Sequence, residues 1–151
     1  MKIKNILFAL AASFTAAVST PATAQQVATN PQIQCLARNA YFEAGNQGRQ
    51  GMIAVSNVVM NRSRDHRFPS TPCGVINQRW RGTCQFSWVC GRQRIRNQAI
   101  FSRALEVAAD VYNGRVGDLT NGARFYHAVY VNPRWRYTRV ARIGDHIFYR
   151  G

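Results

Sequence analysis

Arg38-Asn39-Ala40-Tyr41-Phe42-Glu43-Ala44-Gly45 reads as the end of an amphipathic helix that begins near Pro31. Ile33, Leu36, Ala37, Ala40, Tyr41 and Ala44 recur at three- and four-residue steps and form one apolar face. Glu43 follows Leu36 by almost two turns, so it projects from the margin of that face. A carboxylate held there loses hydration, which favours its neutral form and raises its pKa. A general acid working near neutral pH needs that property. The competing reading is a surface glutamate near a helix C-terminus, where the helix dipole disfavours negative charge.

Outward from this segment, Gly45 stops the helix and Gly45-Asn46-Gln47-Gly48 turns the chain. Met52, Ile53, Val55, Val58, Val59 and Met60 then make a second helix, apolar nearly all round, which predicts the buried centre of the domain. The stretch from Asn61 to Pro72 is charged and irregular, and reads as a loop holding Asp65 and His66. Cys73 to Gln78 predicts a short helical turn. Trp80 to Trp88 mixes aromatic with amide and hydroxyl groups, and Gln85, Phe86, Ser87 and Trp88 are candidate sugar contacts. Aromatic rings at this density also suit a core.

A third long helix is predicted from about Arg96 to Asn113, with Glu106 and Asp110 on its solvated side. Ala123 to Val131 is β-rich, and Arg139–Ile143 with His146–Tyr149 form a hairpin about Gly144-Asp145. Asp118 and Asp145 sit in turns. Of the six acidic residues, Glu43 alone has the setting of an acid catalyst.

The N-terminus carries Lys2 and Lys4, an apolar run from Ile6 to Val18, and the small-residue signature Pro21-Ala22-Thr23-Ala24. This predicts a secretory signal peptide over 1–24, with a short flexible lead-in at 25–30 and one domain over 31–151. No integral membrane segment is expected after cleavage, and the chain is expected in the periplasm or cell wall, or secreted. The formal charge is +14, and beyond Lys2 and Lys4 every strong base is arginine. Such a surface suits polyanions: nucleic acid, a phosphate-rich polymer, or a cell-wall polymer with carboxylates. Arg62, Arg64 and Arg67, and again Arg92, Arg94 and Arg96, are the expected contact clusters. Cys35, Cys73, Cys84 and Cys90 in an exported chain predict two disulfides, with three pairings open. Five residues separate Cys84 from Cys90, too many for the usual zinc spacing, so no metal site and no cofactor are expected.

Three ordered blocks resemble the cell wall hydrolase family of the spore-cortex-lytic (SleB-like) type. The first is Cys35-Leu36-Ala37, Ala40 to Ala44, Gly51, Ala54-Val55 and Val58 to Arg62; the second is Cys73 to Ile76, Cys84 to Trp88 and Cys90. The third is Phe125-Tyr126-His127, Pro133, Trp135 and Ile143 to Arg150. The resemblance implies an α+β, mainly α, lysozyme-like single domain with a small β hairpin element beside the cleft. It also implies peptidoglycan rather than nucleic acid as partner. Glu43 matches the family's catalytic glutamate, in enzymes generally regarded as lytic transglycosylases that cut the muramic acid–glucosamine bond. Tyr126, His127, Trp135 and His146 are further candidate contacts for sugar or peptide; the histidines can instead be satisfied groups around the hairpin. The chain departs from the family's Glu-Ala-Arg-Gly-Glu with Glu43-Ala44-Gly45-Asn46-Gln47, and has Gly91 where an aspartate often follows the cysteine. The rival readings are a secreted arginine-rich binding module for anionic glycan or nucleic acid, a muramidase-type hydrolase, and a Cys–His amidase. The chain is taken as a monomer.

Overall fold

The computed structural model describes residues 29–151; the expected signal peptide and residues 25–28 of the lead-in lie outside them. Asn30, the last residue of the lead-in, caps helix α1 (Pro31–Ala44). Its Oδ1 accepts from the backbone N–H groups of Gln32 at 2.9 Å and Ile33 at 3.4 Å. Pro31 fills the first turn, where no N–H is needed. Such a cap is worth about 1 kcal/mol.

Helix α2 (Gly48–Ser63) follows across a three-residue turn, and every residue from Gly51 to Met60 is buried. Gly51 leaves room for the side chain of Gln47, which precedes α2: a Cβ there would lie 2.6 Å from Gln47 Cβ. One side of α2 packs with α1 and the long helix α5 (Gln98–Tyr112), through Met52, Val55, Val59, Ala104, Val107 and Ala108. Its other side meets the sheet, where Ala54 and Val58 pack on Ala123 and Phe148. Contact on both sides is why α2 is apolar all round. The helix also runs past Asn61, which corrects the predicted loop boundary. Arg62 lies four residues after Val58 and seven after Val55, so it falls on the buried stripe and is only 4% exposed. It therefore drops out of the surface cluster with Arg64 and Arg67.

Between α2 and α5 lie α3 (Pro72–Asn77), a tight hairpin β1 (Arg79–Trp80) and β2 (Thr83–Cys84), and α4 (Ser87–Cys90). Disulfide Cys35–Cys73 ties α3 to α1, and Cys84–Cys90 closes the segment holding Gln85, Phe86 and Ser87. The Tyr41 hydroxyl on α1 accepts from the N–H groups of Arg96 and Asn97, each at 3.1 Å, fixing the start of α5.

The C-terminal sheet is antiparallel in the order β3-β5-β4, from β3 (Phe125–Ala128), β4 (Thr138–Ile143) and β5 (His146–Arg150). The predicted hairpin is present and turns at Gly144-Asp145, with Gly144 at φ +54°. Gln47 clips this turn to the α1–α2 turn, its Oε1 accepting from Asp145 N–H at 3.0 Å. The mainly helical α+β arrangement agrees with the expected class. Among the described residues no helix is long and apolar enough to cross a membrane.

Candidate active site

Glu43 ends up where the last turn of α1 faces the inner side of the sheet. Side chains alternate along β3, so Tyr126 points inward, and its hydroxyl donates to Glu43 Oε2 at 2.9 Å. The two share a pocket of about 270 Å³ with Arg62, Cys84, Gln85, Phe86 and Ser87. Burial pushes the Glu43 carboxyl above its ordinary value, and the Tyr126 hydrogen bond opposes that shift more weakly. Burial and the neighbouring Glu43 charge push the Tyr126 phenol well up, while Arg62 acts in the other direction. Tyr126 thus stays protonated and remains a donor.

Arg62 was absent from the sequence-derived site. Its Nε donates to the Arg124 carbonyl at 2.6 Å, and its guanidinium lies 5.3–6.0 Å from the ring centres of Phe68, Phe86 and Phe125. Burial lowers its pKa from the usual arginine value, and Tyr126 pulls in the opposite sense. The available signal was its spacing from Val55 and Val58, outweighed by the neighbouring charged residues.

Of the sequence-derived candidates, Gln85, Phe86, Ser87 and Tyr126 line the pocket with Glu43. Trp88 does not line it. It is buried and stacks on Phe42 at 4.7 Å, with the Arg38 guanidinium 5.6 Å from its ring, and so supports α1 from behind. The β register divides the rest. His146 opposes Ala128 and lies on the inner face, its ring 4.9 Å from Tyr126. Burial lowers its pKa below the ordinary histidine value, with Asp145 opposing that shift and His127 adding to it. His127 and Trp135 meet on the outer face instead, with ring centres 5.5 Å apart. There His127 Nδ1 faces the Ala128 carbonyl at 2.8 Å and Nε2 faces the Tyr149 hydroxyl at 2.9 Å. The carbonyl can only accept, so in the neutral ring Nδ1 donates and Nε2 accepts from Tyr149.

Glu43 is the one carboxylate among the residues lining its pocket. Three of the other five acids are engaged elsewhere. Asp65, read as an exposed loop residue, has a largely covered carboxylate. It accepts from Arg67 Nε and Nη2 at 3.0 and 2.9 Å and lies 2.6 Å from Arg124 Nε, and the Arg67 hydrogen bonds hold it well below the carboxylate range. Asp110 pairs with Arg49 and Arg115. Asp118 accepts from Asn61, Thr120 and Gly122. All four cysteines are in disulfides, which removes the thiol that a Cys–His amidase requires.

A family model described as Cell Wall Hydrolase matches residues 46–149, and the chain belongs to that family. The matched span begins just after Glu43. No curated protein matches the chain. The catalytic domain of the germination-specific lytic transglycosylase SleB from Bacillus anthracis is similar in structure, with a TM-score of 0.65 and 25% identity over 89% of this chain and 100% of that one. The catalytic domain of the Bacillus cereus SleB protein gives a TM-score of 0.61 and 28% identity, over 79% of this chain and 89% of the other.

Proposed function

We propose that this chain cuts the glycan strand of peptidoglycan between N-acetylmuramic acid and N-acetylglucosamine, as a lytic transglycosylase. The observation that carries the reading is Glu43: a single carboxylate in the pocket, kept toward its neutral form by burial and held by Tyr126. Similarity to a SleB catalytic domain described as a lytic transglycosylase supports it.

In the first step Glu43 gives its proton to the glycosidic oxygen as the bond from the anomeric carbon breaks. The glucosamine-side chain leaves as an alcohol. The resulting carboxylate accepts the proton of the muramic acid C6 hydroxyl while that oxygen attacks the anomeric carbon. A 1,6-anhydro ring closes and Glu43 is protonated again. Hydrolysis by the usual glycosidase routes calls for a second carboxylate across the sugar as nucleophile or base. The engaged positions of Asp65, Asp110 and Asp118 favour the intramolecular route. Gln85 and Ser87 supply amide and hydroxyl groups for the sugar in the pocket. Two disulfides accord with an exported chain acting in an oxidising compartment.

Mass spectrometry of soluble fragments from treated peptidoglycan tests this reading. Fragments should end in 1,6-anhydromuramic acid, about eighteen mass units below a hydrolysed end, and Glu43→Gln should cut turnover at least about 100-fold. Water-derived reducing ends throughout would leave a glycosidase but remove the transglycosylase. Full activity in Glu43→Gln would remove both.

A further inference from the structure

A second cavity, of about 620 Å³, adjoins the Glu43 pocket and is lined by Phe68, Gln78, Trp80, Arg81, Thr83, Cys84 and Gln85. Cys84 and Gln85 line both, so the two cavities are neighbours. Trp80 is 76% exposed and belongs to neither apolar cluster of the core. Folding gains little from holding an indole there. The turn that presents it is also costly: Arg81, at φ +49°, and Gly82, at φ +82°, take the left-handed conformations of a tight hairpin. Glycine or asparagine adopts such a position readily, whereas arginine is strained by roughly 1–2 kcal/mol. Strained backbone persists where the side chain it presents has a use. Here the strain leaves the Arg81 guanidinium 5.9 Å from the Trp80 ring centre, at the cavity wall.

We propose that the β1–β2 hairpin tip forms a second saccharide subsite next to the Glu43 pocket. Trp80 stacks on a sugar ring of the bound strand, and Arg81 receives a carboxylate of the peptide attached to that strand. The assignment rests on the glycan-cleaving reading for the identity of its ligand. Amide groups of Gln78 and Gln85 on the same wall suit sugar hydroxyls, and a flat exposed indole suits the apolar face of a pyranose. Arginine at the rim matches the charge of a carboxylate-bearing stem.

The test uses the chain carrying Glu43→Gln, which holds the strand uncut, and soluble glycan fragments with and without their peptide stems. Trp80→Ala should weaken both ligands about tenfold, and Trp80→Tyr should recover most of that loss. Arg81→Gly suits the turn's backbone and should weaken only the stem-bearing fragments, by about three- to tenfold. Unchanged affinity in Trp80→Ala, with a melting temperature equal to the parent's, overturns the subsite. Product analysis with Glu43 intact separates the two ideas. Released glycan fragments together with indifference to Trp80 reject the subsite alone. Trp80-dependent binding without any glycan cleavage rejects the catalytic reading and leaves the subsite standing.

Discussion

Glu43 and Tyr126 set each other's ionisation. Burial raises the carboxyl, and the Tyr126 hydrogen bond restrains the rise because it favours the charged form. Tyr126→Phe removes that restraint, so the Glu43 pKa should climb further. A reaction that needs protonated Glu43 loses rate as pH rises through that pKa, so the alkaline limb of kcat/KM should move to higher pH in Tyr126→Phe. A pH–rate profile checks this, and a limb that stays in place separates Tyr126 from the acid. The same shift has a stability sign. A carboxyl with a raised pKa in the folded state costs stability once pH exceeds its folded value, and nothing below its unfolded value. Glu43→Gln should therefore melt at higher temperature than the parent at neutral pH, the difference closing as pH falls through the ordinary glutamate range. Asp65 has the opposite sign: its stabilising ion pairs are present above the ordinary aspartate value and are lost as acid titrates it.

At the scale of elements, the two disulfides divide labour. Cys35–Cys73 spans 38 residues and joins α1 to α3, whereas Cys84–Cys90 spans six and braces the pocket wall. The loop-entropy model assigns about 4 kcal/mol to the first and about 2 kcal/mol to the second. Cys35→Ser with Cys73→Ser should thus cause the larger fall in melting temperature. Cys84→Ser with Cys90→Ser should cost more activity relative to its lost stability, because Gln85, Phe86 and Ser87 lose their bracket. Paired melting and turnover measurements decide it, and equal ratios in the two variants would mean that the short bridge is structural only. The sheet shows a further division. One-residue alternation along β3 sends Tyr126 to the Glu43 side and His127 to the opposite face with Trp135. Gln47 then fixes the sheet to the helices from a position where the family often has glutamate. A Cβ at Gly144 would lie 2.5 Å from Gln47 Oε1, so Gly144→Ala must disturb that clip.

Over the whole molecule, excess positive charge is carried by arginines, with Arg92, Arg94 and Arg96 exposed beside the start of α5. Replacing these three with glutamine should weaken retention on insoluble peptidoglycan at low salt and matter little at high salt, since exposed charges are screened within about 10 Å at 0.1 M. Unchanged low-salt retention would leave them a solvated surface. Helix order, the central place of α2 and the β4–β5 hairpin were legible in the chain, because hydrophobic period and glycine placement are local properties. Pairing of the cysteines was not legible, since four thiols allow three pairings until the helices are placed. Arg62 looked like surface because charge normally is, and only packing α2 on both sides buried it. Trp88, read as a sugar contact, became core behind α1, whereas Trp80 was left exposed at a strained turn. Sequence alone determined which residues prefer which element and singled out Glu43 as the candidate acid. Tertiary structure alone decided which side chains share a pocket, because that depends on strand register and helix contact between residues as far apart as Glu43 and Tyr126.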